Sequence, residues 1–529
     1  MPTFKIDGRE VPFEAGDTIL RAAWRAGIEI PHYCWHPGLS VAANCRMCLV
    51  EITSGRPMPM PILRWDDRKH DYVPDTKPKL QPACQMAASE ALEVRTDSAT
   101  VQETQAGVQE KLLLNHPVDC PICDQAGECK LQDYWLAHQH RAKRKLTEPV
   151  HKPKAVRFGP TIVYDAERCI LCTRCMRVCD ELVGDHVLDM RQRGNQNEIF
   201  VAPGRELDHR YALMTEHVCP VGALTSRDFR FKARVWVLRS APGVCVGCST
   251  GCNTHVDFDP RYGRVYRLRP RDNADVNRFW MCDDGMMTYR QVHDDRVLAA
   301  TVGRGSQRRD VSQDKALQAA AKALAGVDGS KVAVVLSAHH SSEDNLALAR
   351  LAGAVLGTQR LYVAALEGWE GDAILRHADN NPNRAGALAA AGGKAEGMED
   401  LIQDALGGEI EAVVALGWAS PVEADGLAPL GKLAHVIWLS SNGGPMAEVA
   451  SVTVPVSSWA ETHGTFVNAD GLAQRFRRAI PSPGAIRSGW ETVAALAAAM
   501  GKPLPFSTLE SVRAALGQAA APAAAEARA

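Results

Sequence analysis

Apolar residues alternate with polar ones at Phe4, Ile6, Val11 and Phe13, and Asp7-Gly8 separates the two runs. A period of two around such a dipeptide predicts a β-hairpin. The period then lengthens. Ile19, Leu20, Ala23 and Trp24 share one helical face, with Asp17 as the expected N-cap and Gly27 as the stop. Pro57, Pro59, Pro61, Pro74, Pro78 and Pro82 predict an irregular loop. Residues 99–140 read as helical, with a break at Asn115-His116-Pro117. Beyond residue 330 short apolar runs at 331–337, 361–365, 411–416 and 435–439 alternate with helical stretches such as 343–356 and 398–406. That rhythm predicts parallel βαβ units under helical cover. The Ala-rich end from about Gly517 reads as a frayed tail.

Composition changes the picture in two ways. The chain has 529 residues, enough for about three to four domains. Its 60 Lys and Arg against 62 Asp and Glu leave a net charge of −2, which gives no global case for nucleic acid or an anionic membrane as partner. The stretch 141–157 is an exception, with seven Lys or Arg against one Glu. It reads as a solvated linker, and the sharper reading is a contact with an acidic neighbour. The first residues, MPTFKIDGREVPFEAG, have no apolar h-region, and no window is apolar enough for a membrane span. A cytoplasmic chain with reduced thiols is expected.

The sixteen cysteines decide the chemistry. All lie between Cys34 and Cys282, and reduced clustered thiols point to metal. They fall into four sets. Cys34-x10-Cys45-x2-Cys48-x35-Cys84 has three ligands in one loop after a hairpin and helix, the order of a β-grasp ferredoxin, and a distant fourth, a looser version of plant-type [2Fe–2S] spacing. His116-x3-Cys120-x2-Cys123-x5-Cys129 offers three thiols, so a four-iron cluster needs the histidine. Cys169-x2-Cys172-x2-Cys175 opens a [4Fe–4S] run whose fourth ligand is Cys179 or Cys219. Cys219 is the one followed by proline, which favours it and leaves Cys179 as a buried free thiol. Cys245-x2-Cys248-x3-Cys252-x29-Cys282 is a complete four-thiolate set. Zinc would demand four irregular sites where paired short knuckles are the rule. No phosphate-cradling glycine loop or nucleophile–base pair is evident, so no NADH, FMN or ATP site and no catalytic residue is expected here.

Asn44-Cys45-Arg46-Met47-Cys48-Leu49-Val50-Glu51, the His116 set, the run Cys169 to Cys175 and Cys219-Pro220-Val221-Gly222-Ala223-Leu224, in that order, resemble the large iron–sulfur subunit family of respiratory NADH–quinone oxidoreductase, complex I. The resemblance covers residues 1 to about 290 specifically and is looser beyond. It implies one [2Fe–2S] and three [4Fe–4S] clusters, with FMN and NADH held by a partner subunit. Electrons would enter at the Cys34 set, pass to the Cys169 set and then the His116 set, and leave to a further iron–sulfur subunit and quinone, coupled to proton translocation by the whole complex. The Cys245 set would lie off that path. The family also implies a place on the cytoplasmic side of the membrane, held there by the complex without a span of its own. The x35 gap is longer than this family usually shows, so the proline-rich stretch looks like an insertion.

Residues 236 to about 505 resemble the molybdopterin oxidoreductase fold, and Glu461-Thr462-His463-Gly464-Thr465-Phe466-Val467-Asn468-Ala469-Asp470-Gly471-Leu472-Ala473-Gln474 looks like a motif of that superfamily, with Asp470 in place of Glu and Leu472 where Arg is common. A formate dehydrogenase-type chain is therefore one competitor. No Cys follows Cys282 to bind molybdenum, and Asp283-Asp284 stand where a Lys is usual, so a scaffold without molybdopterin is expected. The other competitor, the electron-transfer chain of an NAD-reducing hydrogenase, lacks the long C-terminal domain. The expected architecture is multidomain, α+β and α/β. A [2Fe–2S] ferredoxin-like domain covers 1–98, a [4Fe–4S] region with one histidine and three cysteine ligands 99–140, and a [4Fe–4S] ferredoxin-like domain 141–235. A molybdopterin-oxidoreductase-type [4Fe–4S] domain follows over 236–292, an α/β domain over 293–505 and an Ala-rich tail over 506–529.

Overall fold

The computed structural model describes residues 1–54, 63–74, 80–138, 144, 148–393 and 395–519. Two compact units divide the chain, Met1–Trp236 and Val237–Ala529.

The first unit begins with a five-stranded sheet in the order Arg9–Pro12, Thr3–Ile6, Glu93–Arg95, Leu49–Ser54, Leu80–Pro82. Thr3–Ile6 runs parallel to Glu93–Arg95 and the other neighbours are antiparallel. Helix Ile19–Arg25 buries Ile19, Leu20, Ala22 and Ala23 against Phe4, Ile6, Val50 and Val94, which is the β-grasp arrangement. The helix is capped by Thr18, whose hydroxyl accepts from the Arg21 N–H, and not by the expected Asp17. The Asp17 carboxylate instead accepts the Glu14 N–H at 2.7 Å and pairs with Arg25, closing the turn before the helix.

The proline-rich stretch is not wholly irregular. Leu63–Asp66 and Asp71–Pro74 form a hairpin with the Trp65 and Tyr72 rings edge-on at 5.2 Å, and Leu80–Pro82 is an edge strand of the main sheet. Pro74 and Pro82 close these strands, where a missing N–H disturbs the ladder least. Pro57, Pro59, Pro61 and Pro78 lie outside the described residues, as do Lys143 and Lys145 of the basic stretch and the tail from residue 520. Helices Ala99–Leu113 and Lys130–His138 flank the His116 loop. The ferredoxin-like part follows, with Ile162–Tyr164 between Val156–Arg157 and Leu224–Ser226, the ribbon Leu188–Arg191 with Glu198–Val201, and helices Arg174–Arg177 and Ala212–His217.

The second unit opens with an antiparallel sheet, Arg239–Val244, Asn253–Asp259 and Arg264–Pro270, and the short helix Asp283–Met287. A seven-stranded sheet follows in the order Arg309–Val311, Ala300–Val302, Val452–Pro455, His435–Ser440, Ala412–Leu416, Val332–Ser337, Leu361–Ala364. The last five strands are parallel. Val332, Val334 and Leu336 enter the core on one face, Ala333 and Val335 that on the other. Continuous apolar runs are what a parallel strand covered on both faces requires. Strand order reverses at Val332–Ser337, whose chain continues first to Leu361–Ala364 on one side and then to Ala412–Leu416 on the other. In open α/β sheets that reversal places a crevice at the carboxyl ends. The first part of the expected tail is a helix, Leu509–Ala519, with Val512 in the core. No described helix is long and apolar enough to cross a membrane.

Candidate metal centres

All sixteen cysteines are free thiols. In the first set Cys34 hydrogen-bonds Cys45 and Cys48 hydrogen-bonds Cys84. Three thiols from one loop and a fourth from a distant segment, close in two pairs, suit two irons with two protein ligands each. The Cys34 thiol is pushed down, first by its bond to Cys45, while Cys45 and Cys48 are pushed up. Arg46 holds a left-handed φ of 60° between the ligands.

The second set lines a cavity of about 600 Å³ containing His116, Cys120, Cys123, Cys129, Arg168 and Gly222. His116 Nδ1 is shut off from solvent and has no hydrogen-bond partner. Burial, then the Arg168 cation, lowers this imidazole to about 4, so it is neutral with a lone pair to give. An orphaned buried nitrogen beside three thiols fits a metal cluster. Arg234 fixes the loop by donating to the Cys120 and Cys123 carbonyls at 3.0 and 3.2 Å.

The third set, Cys169, Cys172, Cys175 and Cys219, lines one small cavity with Tyr164 and Val221. Cys179 is not part of its wall. It is buried, and its Sγ lies 3.4 Å from His209 Nε2. Leu171 and Thr173 take left-handed φ of 54° and 65°, which curls the loop so that the Leu171 N–H reaches Cys169 Sγ at 3.4 Å. The fourth set is drawn together by the hairpin of Arg239–Val244 with Asn253–Asp259, whose connection carries Cys245, Cys248 and Cys252, and by the helix that Cys282 caps. Gly247 N–H donates to Cys245 Sγ at 3.4 Å and Gly285 N–H to Cys282 Sγ at 3.3 Å.

Burial pushes Cys129 and Cys169 up to about 11 and Cys245 up to about 12. Such thiols hold their protons at neutral pH unless a metal cation displaces them. Among the described residues no three His, Cys, Asp or Glu side chains converge closely enough for a single metal ion.

Several contributors carry no sequence-level signal of their own. Gly222 leaves room where a Cβ would stand 2.2 Å from Cys123 Sγ. Arg174 and Arg177 reach across to the Cys34 loop. The motif residues near 470 clamp the fourth set. Asn468 Nδ2 donates to the Thr250 carbonyl at 3.2 Å, Gln474 Nε2 to that of Gly251 at 2.8 Å, and Ala469 N–H to that of Ser249 at 2.8 Å. Asp284, one of the two adjacent carboxylates after Cys282, pairs with Arg376 at 3.1 Å.

Comparison with known proteins follows the same order along the chain. Family profiles match residues 1–99 (2Fe-2S iron-sulfur cluster binding domain), 105–144 (NADH-ubiquinone oxidoreductase-G iron-sulfur binding region) and 159–225 (NADH-quinone oxidoreductase subunit 3, ferredoxin-like domain). Two more match 238–294 (molybdopterin oxidoreductase Fe4S4 domain) and 375–499 (molybdopterin oxidoreductase). The G subunit of NADH-quinone oxidoreductase from Streptomyces coelicolor is 33% identical over 67% of this chain and 40% of its own length. The chain belongs to the G-subunit family of NADH-quinone oxidoreductases. It spans about two fifths of the length of the Streptomyces coelicolor relative. The mitochondrial 78 kDa subunit of NADH-ubiquinone oxidoreductase from Candida albicans is 27% identical over 97% of this chain and 85% of its own. A solved chain of an NAD+-reducing [NiFe]-hydrogenase aligns over 44% of this chain and 91% of its own, 29% identical, with a TM-score of 0.36.

Proposed function

We propose that this chain is an electron relay of an NADH–quinone oxidoreductase, receiving electrons from a flavin-bearing partner subunit and passing them through its cysteine sets toward quinone. Cys34, Cys45, Cys48 and Cys84 would hold a [2Fe–2S] cluster. His116 with Cys120, Cys123 and Cys129, then Cys169, Cys172, Cys175 and Cys219, then Cys245, Cys248, Cys252 and Cys282 would each hold a [4Fe–4S] cluster. Bound there, these groups supply reversible one-electron exchange. The chain's own work is to order the sets, keep water out and fix the local charge.

The observation that carries this reading is a series of contacts within the first unit. Arg177 donates to the Cys34 and Cys172 carbonyls, and Gly222, three residues after Cys219, sits against Cys123 Sγ. The order Cys34 set, Cys169 set, His116 set is thus a chain of neighbours. Other subunits of the complex are the partners in this reading, and they hold the chain at the membrane.

The second unit serves as scaffold. Its carboxyl-edge cavity, lined by His339, His340, Asp344, Trp418 and Asn442, measures about 20 Å³, room for about one water. That small volume supports the reading of this unit as a scaffold. Metal and sulfide analysis of the purified chain, with EPR on reduction, tests the whole reading. Iron signals from four sets and no stoichiometric molybdenum are expected. A colourless zinc-loaded chain would overturn it.

A further inference from the structure

Among the described residues, no carboxylate forms an ion pair with either of two arginines in the first unit, Arg174 and Arg177. Arg177 is buried, and it donates to the main-chain carbonyls of Cys34, Ser40 and Cys172. Arg174 donates to those of Trp35 and Val218. The Nε of each is shut off from solvent with no hydrogen-bond partner. The ionisable neighbours that act on Arg174 most strongly are Cys172, Tyr134, Arg177 and Cys34.

Other buried arginines of the chain are treated differently. Arg168 pairs with Asp119 and Asp165, Arg267 with Asp257, Arg296 with Glu461, and Arg376 with Asp284. Removing a cation from water without an anion is strongly unfavourable. The anionic groups left at this place are the thiolates of the Cys34 and Cys169 sets.

Each guanidinium also joins the two sets, which lie far apart in sequence. Arg177 spans from Cys34 to Cys172. Arg174 spans from Trp35, next to Cys34, to Val218, next to Cys219. Asn44 adds a third strut by donating to the Leu171 carbonyl at 3.1 Å.

We propose that Arg174 and Arg177 are the fixed counter-cations shared by the Cys34 and Cys169 sets, tying the two together and raising the reduction potential of the groups held there. Reduction adds one negative charge to such a group, and a buried cation favours the reduced state more as the local dielectric falls. A cation shared by two neighbouring sites shifts both in the same direction. This inference rests on the electron-relay reading.

The test is an EPR-monitored redox titration of the full chain with its iron bound, comparing Arg174→Gln, Arg177→Gln and the two Lys variants. Signals are assigned beforehand with Cys34→Ala and Cys172→Ala. The Gln variants should shift the Cys34-set and Cys169-set midpoints to more negative values and leave the Cys245-set midpoint in place. Lys, which keeps the charge, should restore most of the shift. Unshifted midpoints at full iron content would overturn the proposal, as would an equal shift in every set. If a Gln variant loses iron from these two sets, the Lys variant decides. Iron retained at the original midpoints supports a role for the charge, and iron lost again reduces both residues to structural struts and overturns it. A wild-type chain without iron would sink the relay reading instead, a separate and visible failure.

Discussion

Gly222→Ala perturbs one contact and little else. The residue does not sit in the left-handed region, so alanine is free to adopt its backbone. Its Cβ would stand 2.2 Å from Cys123 Sγ and 3.1 Å from Gln125 Cβ, where ordinary contact begins at 3.4 Å. Either the sulfur or the loop must move by about 1.2 Å, several times the ~0.2 Å a metal–ligand distance tolerates. Overpacking of this kind costs about 1–3 kcal/mol, within the stability of a domain, so the chain should still fold. The backbone has little freedom to retreat. Val221 and Ala223 are buried, and Cys219, three residues earlier, belongs to the neighbouring set. The expected result is a lost or broadened EPR signal from the His116 set, with the Cys34-set signal intact. Gly107→Ala, where a Cβ meets nothing within 4 Å, is the control. A Gly222→Ala chain with full iron and unchanged spectra would refute the placement of Gly222 against a ligand.

Three further outcomes are expected. Cys219→Ala should cost the chain its third cluster while Cys179→Ala keeps it, measured by iron content and EPR; loss in the Cys179 variant alone would reverse the assignment. His116→Cys should retain a cluster at a lower midpoint, because a neutral ligand is exchanged for an anionic one, and an unchanged midpoint would refute that argument. The second unit should lose stability in acid. His339 and His340 are lowered to about 4 and about 3, chiefly by burial, so their contribution is whole above 6.5 and falls as the unfolded chain takes up protons below it. Each loses about 2 kcal/mol by pH 5 at ~1.4 kcal/mol per unit. Asp344, raised to about 6 by burial, works the other way between 6 and 3.8 and returns about 1.4 kcal/mol. A net loss of about 2–3 kcal/mol should appear in thermal unfolding between pH 7 and 5, and a flat profile would show that the two rings are not held neutral.

The sequence was readable where one signal acted alone. Period-two alternation marked the first hairpin, and long apolar runs marked 332–337, 412–416 and 435–440, which are buried on both faces. It was less readable where two signals competed. Proline density argued for an irregular stretch, yet Trp65 and Tyr72 supply a cross-strand pair that closes a hairpin between the prolines. Asp17 matched the cap preference, yet Arg25 and the Glu14 N–H draw its carboxylate away and leave the cap to Thr18. The strands Ala300–Val302 and Arg309–Val311 are three residues long, too short for a period to be read. Short spacings hold near neighbours such as Cys45 and Cys48 together, because a loop of two residues leaves the chain few ways to separate them, whereas Cys84, Cys219 and Cys282 come near their sets only through the fold. Spacing was silent on Arg174, Arg177 and Gly222, whose roles come from contacts between segments far apart in sequence.

The second unit shows how a motif can point to one chemistry and be used for another. By sequence, residues 464–471 and Asp284 bear on a pterin, one for it and one against. In the structure the side chains of Asn468 and Gln474 are committed to the carbonyls of Thr250 and Gly251, and Asp284 is neutralised by Arg376. The repulsion argument from Asp284 is thereby weakened, since a paired carboxylate presents little net charge to an anion. At the carboxyl edge, where strand order puts a crevice, His339, His340, Trp418 and Asn442 line a cavity of about 20 Å³. Groups there are hydrogen-bonded to the fold itself, His339 to Asn381 and Asn442 to the Gln291 and Asp294 carbonyls. The same residues that a superfamily motif brings together thus hold the loop that carries Cys248 and Cys252.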